Sequence, residues 1–409
     1  MYNMVIFKIL FYHFIHPRYK ALVHPLNLHR TAQPRLSFQD DKTWIKMDVF
    51  APLYMGIERS TRLRRRAYCY IMEQLMIADN MLLEKQKNVE GKNMLLSNEE
   101  LKSIYFGAYF FEETDGGWLQ AFQYSKAQMD YFKKAFDFWY DRCMASTAKT
   151  LEFATDAERI AFEYKIIWTG SLDSFEVAVD GLITEIRYVK DLDLEGKLAF
   201  TLPAGKKNVT VYLPADATVL IRRFETDAGV TPAVKNEKVL WLGDSITQGF
   251  GPLRSAMTYV SVANRLLNDD IINQGIGGYV YDKYSLMKME GYTPDKIIVA
   301  LGTNQYGSKT MEAVEEYYET LIGIYGNTIP ILCVSPLWRG DSPEGIPTLV
   351  SFCEKVKQIA GSYANVSVVD GFKLVPHLPE YFLDNLHPNC LGAETYGRNL
   401  VEAIRRIGF

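Results

Sequence analysis

The sequence predicts a mixed α/β protein in which a doubly wound parallel sheet follows a β-rich region. From about residue 237 onwards, short apolar runs alternate with helical stretches, which is the rhythm of βαβ units. Before that point, short β-like runs recur with turn residues between them, a spacing typical of a β-sandwich. A chain of 409 residues is long enough for two domains and an extension. We predict an N-terminal extension, partly helical or disordered, at residues 1–93, a jelly-roll-like β-sandwich at 94–235 and the parallel-sheet domain at 236–409.

The extension differs from the rest of the chain in charge. Residues 1–93 contain 15 Lys and Arg against 8 Asp and Glu, a local charge of +7 in a chain whose total is −4. A helical pattern over residues 58–86 lies behind a cluster of arginines. A basic amphipathic helix of this kind fits a membrane surface or a nucleic acid, but it also fits simple docking on the protein body. We favour docking or an extension without a function. The net charge of −4 implies no polyanionic partner, so the sequence predicts no nucleic-acid partner.

An apolar stretch at residues 4–15 is the one segment that raises a membrane question. It is too short to span a bilayer, and Lys8 and His13 interrupt it. It also lacks the charged start and the small-residue cleavage site of a signal peptide. The five cysteines show neither metal-ligand spacing nor a disulfide pattern. We therefore predict no stable membrane insertion and a cytoplasmic protein, although the pattern leaves secretion open.

The β-rich region contains one predicted helix and a series of strands. The helix covers residues 125–136 and is capped by Ser125. Apolar and polar residues alternate over residues 175–179, and Asp180-Gly181 then supplies a two-residue hairpin turn. The predicted strands are 150–154, 160–168, 175–179, 182–188, 197–202, 208–213 and 218–224.

In the C-terminal region, apolar runs predict the strands of the parallel sheet. They occur at residues 239–242, 271–272, 297–301, 331–334 and 366–369. Helices are predicted at residues 257–267, 311–325, 349–360 and 393–407. The first run ends at Gly243-Asp244-Ser245, so the Ser245 hydroxyl should lie at the carboxyl edge of the sheet, where open α/β sheets bind ligands. Ser245 is then either a reactive group or the N-cap of the next helix.

Four short motifs, each after one of these runs or in the final loop, resemble those of the SGNH, or GDSL, hydrolase family. They are Gly243-Asp244-Ser245, Asn273 with Gly275 and Gly278, Gly302-Thr303-Asn304, and Asp384 with His387-Pro388. The motifs occur in the family's order, and the resemblance covers residues 238–409. It implies a flavodoxin-like doubly wound sheet. The whole arrangement is similar to bacterial carbohydrate esterases in which a β-sandwich precedes the hydrolase domain.

The resemblance also implies roles for individual residues. Ser245 would be the nucleophile, His387 its base and Asp384 the carboxylate that orients the base. The oxyanion hole would consist of the Ser245 N–H, the Gly278 N–H and the Asn304 side-chain amide. Because Gly277 is adjacent to Gly278, the choice of glycine is open by one position.

The residues themselves agree with His387 as the base. A serine hydroxyl is a weak nucleophile at neutral pH and needs a base beside it. Only two histidines, His377 and His387, lie beyond residue 30. Asp384 precedes His387 by three positions, close enough for one turn to join carboxylate and imidazole. His377, flanked by prolines, is interpreted as a solvated loop residue.

Two further sites stay open at this point. Gln305 stands where many family members have Asp, so it keeps a polar side chain but lacks the charge. That departure puts the orientation of Asn304 in doubt. Trp338-Arg339 follows the strand predicted at 331–334 and fits either a pocket wall or a surface loop.

These observations predict a serine esterase that needs neither a metal nor an organic cofactor. The expected substrate is a small-molecule or oligosaccharide ester with a short O-acyl group, above all O-acetyl on carbohydrate, and Tyr279, Tyr281 and Trp338 are candidates to contact a sugar ring. The alternatives are an acylhydrolase of the lipase or thioesterase type and a catalytically silent binding protein on the same fold. The sequence leaves the natural alcohol and the oligomeric state open.

Overall fold

The computed structural model describes residues 94–171, 173–307 and 311–409. These residues belong to a single compact unit. The expectations for residues 1–93, including the helix over 58–86, lie outside the described residues. The boundary at residue 235 stays a prediction.

The first part of the described chain forms antiparallel strands and three helices. The strands are β1 (Met94–Leu95), β2 (Tyr105–Phe106), β3 (Phe110–Thr114), β4 (Trp118–Phe122), β5 (Thr150–Thr155), β6 (Arg159–Thr169), β7 (Ser174–Val179), β8 (Leu182–Tyr188), β9 (Glu195–Thr201), β10 (Lys207–Tyr212), β11 (Ala217–Thr226) and β12 (Val230–Pro232). The helices are α1 (Asn98–Ser103), α2 (Lys126–Ala135) and α3 (Asp137–Cys143).

The strands form two six-stranded sheets that share one core. The first has the order β3-β4-β11-β6-β9, with β1 paired to β11, and the second has the order β12-β5-β10-β7-β8, with β2 paired to β5. Apolar side chains of both sheets, such as Phe162 and Ile221 of the first and Phe175 and Val211 of the second, form a single buried cluster. The predicted sandwich is therefore present in this part of the fold.

The predicted strands of this region lie within two residues of the observed ones. The hairpin is also confirmed, since Asp180 and Gly181 join β7 to β8 with positive φ angles of 48° and 81°. Ser125 caps α2 through a reciprocal pair of hydrogen bonds with Gln128. The elements between residues 94 and 122, together with α3 and β12, were not predicted.

The second part of the chain is a five-stranded parallel sheet flanked by helices. Its strands are β13 (Lys238–Gly243), β14 (Asp270–Gly275), β15 (Lys296–Ala300), β16 (Ile331–Val334) and β17 (Val366–Val369). Its helices are α4 (Ser245–Gln248), α5 (Tyr259–Leu267), α6 (Met311–Tyr325), α7 (Ile346–Ala360) and α8 (Cys390–Ile407). The strand order is β14-β13-β15-β16-β17, and every neighbouring pair is parallel. This is the doubly wound sheet that the sequence predicted.

Both faces of the parallel sheet are buried, which explains why its strands read as unbroken apolar runs. Leu240 and Leu242 belong to the apolar cluster on one face, and Val239 and Trp241 belong to the cluster on the other. All five predicted strands are present, the second being longer than expected. Among the described helices, none is long and apolar enough to cross a membrane.

A buried lysine connects several segments of the β-rich part. Lys149 is 1 % exposed, and its ammonium donates hydrogen bonds to the Ala145 carbonyl at 2.6 Å and to the Gln123 side-chain oxygen. Burial lowers the pKa of Lys149 to about 7. An unfolded chain would hold that proton up to a pH of about 10.4. The unfolded state therefore binds more protons than the folded state between these two values.

We expect the free energy of unfolding to rise with pH in this window, by about 1.4 kcal/mol per pH unit from this group alone. Lys149→Met removes the titrating group. Its stability relative to the natural protein should be highest at pH 6 and should decline as the pH rises from 7 to 9. Urea unfolding at several pH values measures this difference. Parallel stability curves for the two proteins would show that Lys149 keeps an ordinary pKa.

Candidate active site

Ser245 lies where β13 ends and a short helix begins. The Asp244 carboxylate accepts a hydrogen bond from the Ile246 N–H at 3.0 Å and is the N-cap of α4. Complete burial raises the pKa of the Asp244 carboxyl to about 7. Because Asp244 caps the helix, the interpretation of Ser245 as an N-cap is wrong. The Ser245 hydroxyl is thus available for another partner.

That partner is His387. The distance from Ser245 Oγ to His387 Nε2 is 2.9 Å, and His387 Nδ1 lies 2.7 Å from Asp384 Oδ2. An ionised carboxylate can only accept hydrogen bonds, so Nδ1 carries the proton and donates it to Asp384. Nε2 is then left as an acceptor facing the serine hydroxyl. The structure thus brings together the three residues that the sequence predicted as a triad.

Asp384 and His387 share one turn. Asp384 Oδ1 accepts hydrogen bonds from the backbone N–H groups of Leu386 at 3.1 Å and His387 at 2.7 Å. Partial burial of the Asp384 carboxyl would raise its pKa, but the hydrogen bonds from the His387 backbone and ring outweigh that effect. The pKa of Asp384 therefore lies below its ordinary value. Asp384 thus stays ionised at neutral pH and holds the ring in one orientation.

The segment after α4 packs against the histidine. Phe250 meets the His387 ring edge to face, with 4.6 Å between ring centroids. A methyl group built on Gly251, whose φ is +123°, would lie 2.3 Å from the Pro388 carbonyl oxygen and 3.2 Å from His387 Cβ. Only a residue without a side chain fits this close approach. Gly251 therefore determines how near the serine and histidine segments come to each other.

Two buried carboxylates of the antiparallel part hold the same segment in place. Glu176, which has no exposed surface, forms a 2.6 Å ion pair with Arg254. Asp173 accepts a hydrogen bond from the Ser255 hydroxyl at 3.1 Å and from the Ala215 N–H at 2.7 Å. Burial raises the pKa of Asp173 to about 7. Strand β7 and the residue before it thus support the segment that carries Phe250.

The glycine loop after β14 contacts α4. Asn273 donates a hydrogen bond from Nδ2 to the Thr247 carbonyl at 2.8 Å, and its Oδ1 accepts from the Gly275 N–H at 2.8 Å. Gly277 donates its N–H to Gln248 Oε1 at 2.6 Å. Because the Gly277 N–H is occupied in this way, Gly278 is the better candidate for an oxyanion donor. Gly278 has a φ of +71°.

Asn304, which follows β15, is joined to the same loop. Its Nδ2 donates to the Tyr279 carbonyl at 2.9 Å. An amide nitrogen carries two hydrogens, so a second N–H remains for a ligand. Gln305, which stands where many family members have Asp, accepts a hydrogen bond from the Tyr281 N–H at 2.7 Å. The two adjacent residues thus hold Asn304 beside the glycine loop without an aspartate.

The loop after β16 connects two of the motifs. Arg339 donates to the Thr303 carbonyl at 2.9 Å and forms a two-point ion pair with Asp341, whose shorter distance is 2.5 Å. The N–H of Gly340 donates to the Asn385 carbonyl at 2.6 Å, within the turn that holds the histidine. This loop therefore connects the Gly302-Thr303-Asn304 motif to the turn that contains Asp384 and His387. Neither of the two sequence interpretations, a pocket wall or a free surface loop, anticipated that role.

His377 does not join the cluster. Its ring stacks on Trp338 with 5.5 Å between centroids, and its Nε2 lies 2.8 Å from the Phe372 carbonyl oxygen. Tyr279 and Tyr281 are almost fully buried in the core, so the expectation that they contact a sugar ring is wrong. The alternation and spacing of residues in a sequence do not show whether an aromatic ring in a loop faces the core or the solvent. The sequence therefore gave the wrong expectation for these two tyrosines.

Sequence reasoning gave no role to several residues that hold the site together. The sequence did not single out Gln248, Asp216, Glu176 or Arg254. Their contacts join residues that are 32 and 78 positions apart. No local signal marks such pairs in a single sequence.

A metal site or a large cavity near the triad would be another sign of a functional site among the described residues. Among the residues that the structure describes, no group of three or more His, Cys, Asp and Glu side chains could hold a metal ion. A cavity of about 480 Å³ between the second sheet and α5, lined in part by Glu152, Asn208 and Arg265, contains none of the predicted site residues.

A serine–histidine–carboxylate chain at the carboxyl edge of a doubly wound sheet defines a class of protein. That class is the ester hydrolases with an α/β fold. Residues 241–394 match the sequence model of the GDSL-like Lipase/Acylhydrolase family. This part of the chain is therefore a GDSL-like lipase/acylhydrolase domain, and the resemblance stated from the four motifs is confirmed. A search of curated proteins finds no match to the chain.

Solved structures share the fold well beyond this domain. The salicylyl-acyltransferase SsfX3 from a tetracycline biosynthetic pathway aligns with a TM-score of 0.62 at 19% identity, covering 78% of this chain and 98% of its own. A family two carbohydrate esterase from Clostridium thermocellum, in complex with cellohexaose, aligns with a TM-score of 0.54 at 16% identity, covering 74% and 98%. A family two carbohydrate esterase from Cellvibrio japonicus gives 0.53 at 16%, covering 77% and 97%. At these identities the likeness concerns the fold alone.

Gly251→Ala tests how the histidine is positioned. The added methyl group would push against Pro388 and displace His387 from Ser245. A misplacement of about 1 Å at a reacting group can cost on the order of 10²-fold in rate. We therefore expect kcat for p-nitrophenyl acetate to fall by about that factor while the protein remains folded.

Gly291→Ala is the matched control. Gly291 also has a positive φ, +72°, but nothing lies within 4 Å of the added methyl group. Its φ is close to the left-handed region that alanine can adopt, so the variant should carry a smaller backbone penalty and leave kcat unchanged. Equal activities in the two variants would mean that the approach of Gly251 to Pro388 does not position the histidine.

Proposed function

We propose that the protein is a serine esterase that hydrolyses short O-acyl esters, with O-acetyl groups on carbohydrate as the principal substrate. The observation that carries the proposal is the unbroken chain from Ser245 Oγ through the His387 ring to Asp384, with distances of 2.9 and 2.7 Å. A hydroxyl paired with the acceptor nitrogen of an oriented imidazole is the arrangement that activates a serine.

In the proposed reaction, Ser245 Oγ attacks the ester carbonyl carbon while its proton passes to His387 Nε2. The imidazolium that forms is stabilised by the ionised Asp384 carboxylate. It then returns the proton to the leaving alcohol, and an acyl-serine remains. A water molecule, deprotonated by the same nitrogen, attacks the acyl-serine and releases the acid. The chain's own residues supply every proton transfer.

The oxyanion of the tetrahedral intermediate would be held by three N–H groups. These are the backbone N–H groups of Ser245 and Gly278 and the second side-chain N–H of Asn304. Two contacts favour this set, because Gly277 is already bonded to Gln248 and Asn304 is tied to the glycine loop through Tyr279. Each donor typically contributes on the order of 3 kcal/mol to the transition state.

A short acyl group fits the surroundings of Ser245 better than a long one. The segment after Ser245, residues 248–255, is short and largely polar or glycine-rich, and it supplies no apolar lid. A long acyl chain needs an extended apolar trough. This observation favours acetyl esters over the substrates of a lipase.

An aromatic cluster beside the glycine loop suits the apolar face of a sugar ring. Phe136 and Phe138 are stacked and are 52 % and 38 % exposed, respectively. A methyl group on Gly278 would lie 3.6 Å from Phe138 Cε1, so this ring borders the proposed oxyanion hole. The Arg142 guanidinium lies 3.5 Å above the Phe138 ring and 5.3 Å from the Trp168 ring. The cluster replaces Tyr279 and Tyr281 as the candidate sugar platform.

Two structural neighbours also support a carbohydrate substrate. The family two carbohydrate esterases from Clostridium thermocellum and Cellvibrio japonicus share the fold over about three quarters of this chain, and the first was solved with cellohexaose. The acyltransferase SsfX3 shares the same fold. For this reason acetate release must be measured directly.

Ser245→Ala and His387→Ala should each lower kcat for p-nitrophenyl acetate by several orders of magnitude, because nucleophile and base act as one unit. Asp384→Asn should cost less, and the double variant Ser245→Ala/His387→Ala should be little worse than either single one. His377→Ala serves as the control and should be nearly silent. Comparable activity in Ser245→Ala would overturn the proposed function and favour a silent binding protein.

The substrate proposal predicts a kcat/KM that falls from acetate to palmitate in a series of p-nitrophenyl esters, with acetate released from acetylated xylan or mannan oligosaccharides. Phe138→Ala should raise KM for the oligosaccharides several-fold, because it removes a stacking surface worth roughly 1 kcal/mol.

Leu182→Ala is the control for this measurement, because Leu182 is 71 % exposed at the start of β8. It should leave KM unchanged. A maximum at long acyl chains, with no acetate from any acetylated glycan, would favour the lipase or thioesterase alternative.

A further inference from the structure

Gln248 connects the glycine loop of the parallel-sheet part to a carboxylate of the antiparallel part. It is the last residue of α4, three positions after Ser245, and is 2 % exposed. Its Oε1 accepts the Gly277 N–H at 2.6 Å, and its Nε2 donates to Asp216 Oδ1 at 2.6 Å. Asp216 lies in the connection between β10 and β11 and is also 2 % exposed.

The polarity of these contacts allows only one orientation of the amide. A side-chain amide has an acceptor oxygen at one position and a donor nitrogen at the other. If the Gln248 amide were turned over, its NH₂ would face the Gly277 N–H and its oxygen would face the Asp216 carboxylate. Both contacts would be repulsive. The acceptor carboxylate of Asp216 therefore dictates that the Gln248 oxygen faces the glycine loop.

Asp216 is itself held rigidly. Its backbone carbonyl accepts the Gly170 N–H at 2.8 Å, and a methyl group on Gly170 would lie only 2.6 Å from Asp216 Oδ2. Burial raises the pKa of the Asp216 carboxyl, and the positive charge of Arg142 opposes that shift. The Arg142 side chain also packs against Gly277, where an added methyl group would lie 2.9 Å from its Nε. The carboxylate is thus a fixed point supplied by the antiparallel part.

The fixed orientation of the Gln248 amide determines the position of the Gly278 N–H. This peptide N–H lies between two anchored groups, the Gly277 N–H bonded to Gln248 and the Tyr279 carbonyl bonded to Asn304. If the first anchor is released, the peptide that carries the Gly278 N–H is free to rotate, since glycines tolerate many backbone conformations. A preorganised donor stabilises an oxyanion far better than one that must be reoriented during the reaction.

We infer that Asp216 is a positioning residue for the oxyanion hole, acting through Gln248 on the Gly277–Gly278 loop. The inference rests on the proposed function, because it assumes that Gly278 serves the oxyanion. It assigns the antiparallel part a role in positioning the oxyanion hole. Asp216 touches neither the substrate nor the reacting serine.

A charge exchange between the two side chains tests the inference. In Gln248→Glu, a carboxylate oxygen can still accept the Gly277 N–H, and the other oxygen faces Asp216. Two buried carboxyls this close share a proton at low pH and repel each other once both are ionised, so kcat is measured at the alkaline end of the assay range. We expect kcat for p-nitrophenyl acetate to fall roughly 10²-fold, the usual cost of a lost oxyanion donor, with KM changed less than threefold. Asp216→Asn alone should cost less than tenfold, because its side-chain oxygen can still accept from Gln248.

The double variant Gln248→Glu/Asp216→Asn restores the pair with its polarity reversed. The carboxylate at 248 would accept both the Gly277 N–H and a hydrogen from the amide at 216, and the total charge beside Arg142 would be unchanged. We expect kcat to recover to within tenfold of the natural protein. Recovery of this kind would not follow from a loss of packing alone.

Gln123→Met is the matched control. Gln123 is also fully buried with both ends of its amide bonded, to Lys149 and Ala145. The hydrogen bond that it accepts from the Gln274 side chain goes to its backbone carbonyl, which the substitution keeps. Its loss should lower the melting temperature and leave kcat unchanged when activity is measured well below that temperature. Melting temperatures of all variants separate unfolding from misplacement.

The possible outcomes are distinct. If Ser245→Ala is inactive while Gln248→Glu keeps the natural kcat, the inference is overturned and the proposed function stands. The inference also fails if the double variant is no faster than Gln248→Glu at equal stability. If Ser245→Ala is fully active, the proposed function fails instead, whatever the effect at Gln248.

Discussion

The rest of the site depends on the contacts that two buried carboxylates of the antiparallel part make with the segment after Ser245. Glu176 has no exposed surface and is paired with Arg254, while Asp173 binds Ser255. A buried carboxylate that loses its partner costs several kcal/mol, so this segment cannot move away from the sheets without a large penalty. Phe250 lies in this segment and packs against the His387 ring, so the position of that ring is restricted as well. The antiparallel part is therefore a support for the site and not a separate attachment.

The sequence was most informative where structure is local or where burial is uniform. The strands of the parallel sheet are covered on both faces, so apolar runs such as residues 239–242 could be recognised without knowing their neighbours. The turn at Asp180-Gly181 was predicted because its two positive φ angles demand particular residues. By contrast, β3 and β4 escaped notice although they pair with each other, since β3 has no clear alternation and β4 is buried throughout beside the distant strand β11.

The site residues that belong to local motifs could be predicted from the sequence, whereas those that act through contacts between distant residues could not. Family motifs pointed to Ser245 and His387, which the structure brings within 2.9 Å of each other. Gln248 follows the serine motif by three positions, but its partner Asp216 lies in the connection between β10 and β11 of the antiparallel part. Nothing in the residues near Asp216 distinguishes it from an ordinary turn aspartate. Burial also reversed the expectation for Tyr279, because the sequence does not reveal which rings face the core.

The turn that holds Asp384 and His387 is built from neighbours in the chain, whereas the bond from His387 to Ser245 joins residues 142 positions apart. Asn389 caps α8 and also donates to the Glu380 and Phe382 carbonyls, so the turn is fastened to the C-terminal helix. That helix docks on α5 through the stacked rings of Tyr259 and Tyr396. If it undocks, base and orienting carboxylate leave together while the serine stays with the sheet. Enzymatic activity would then report the docking of one terminal helix and would vanish before the sheet itself melts.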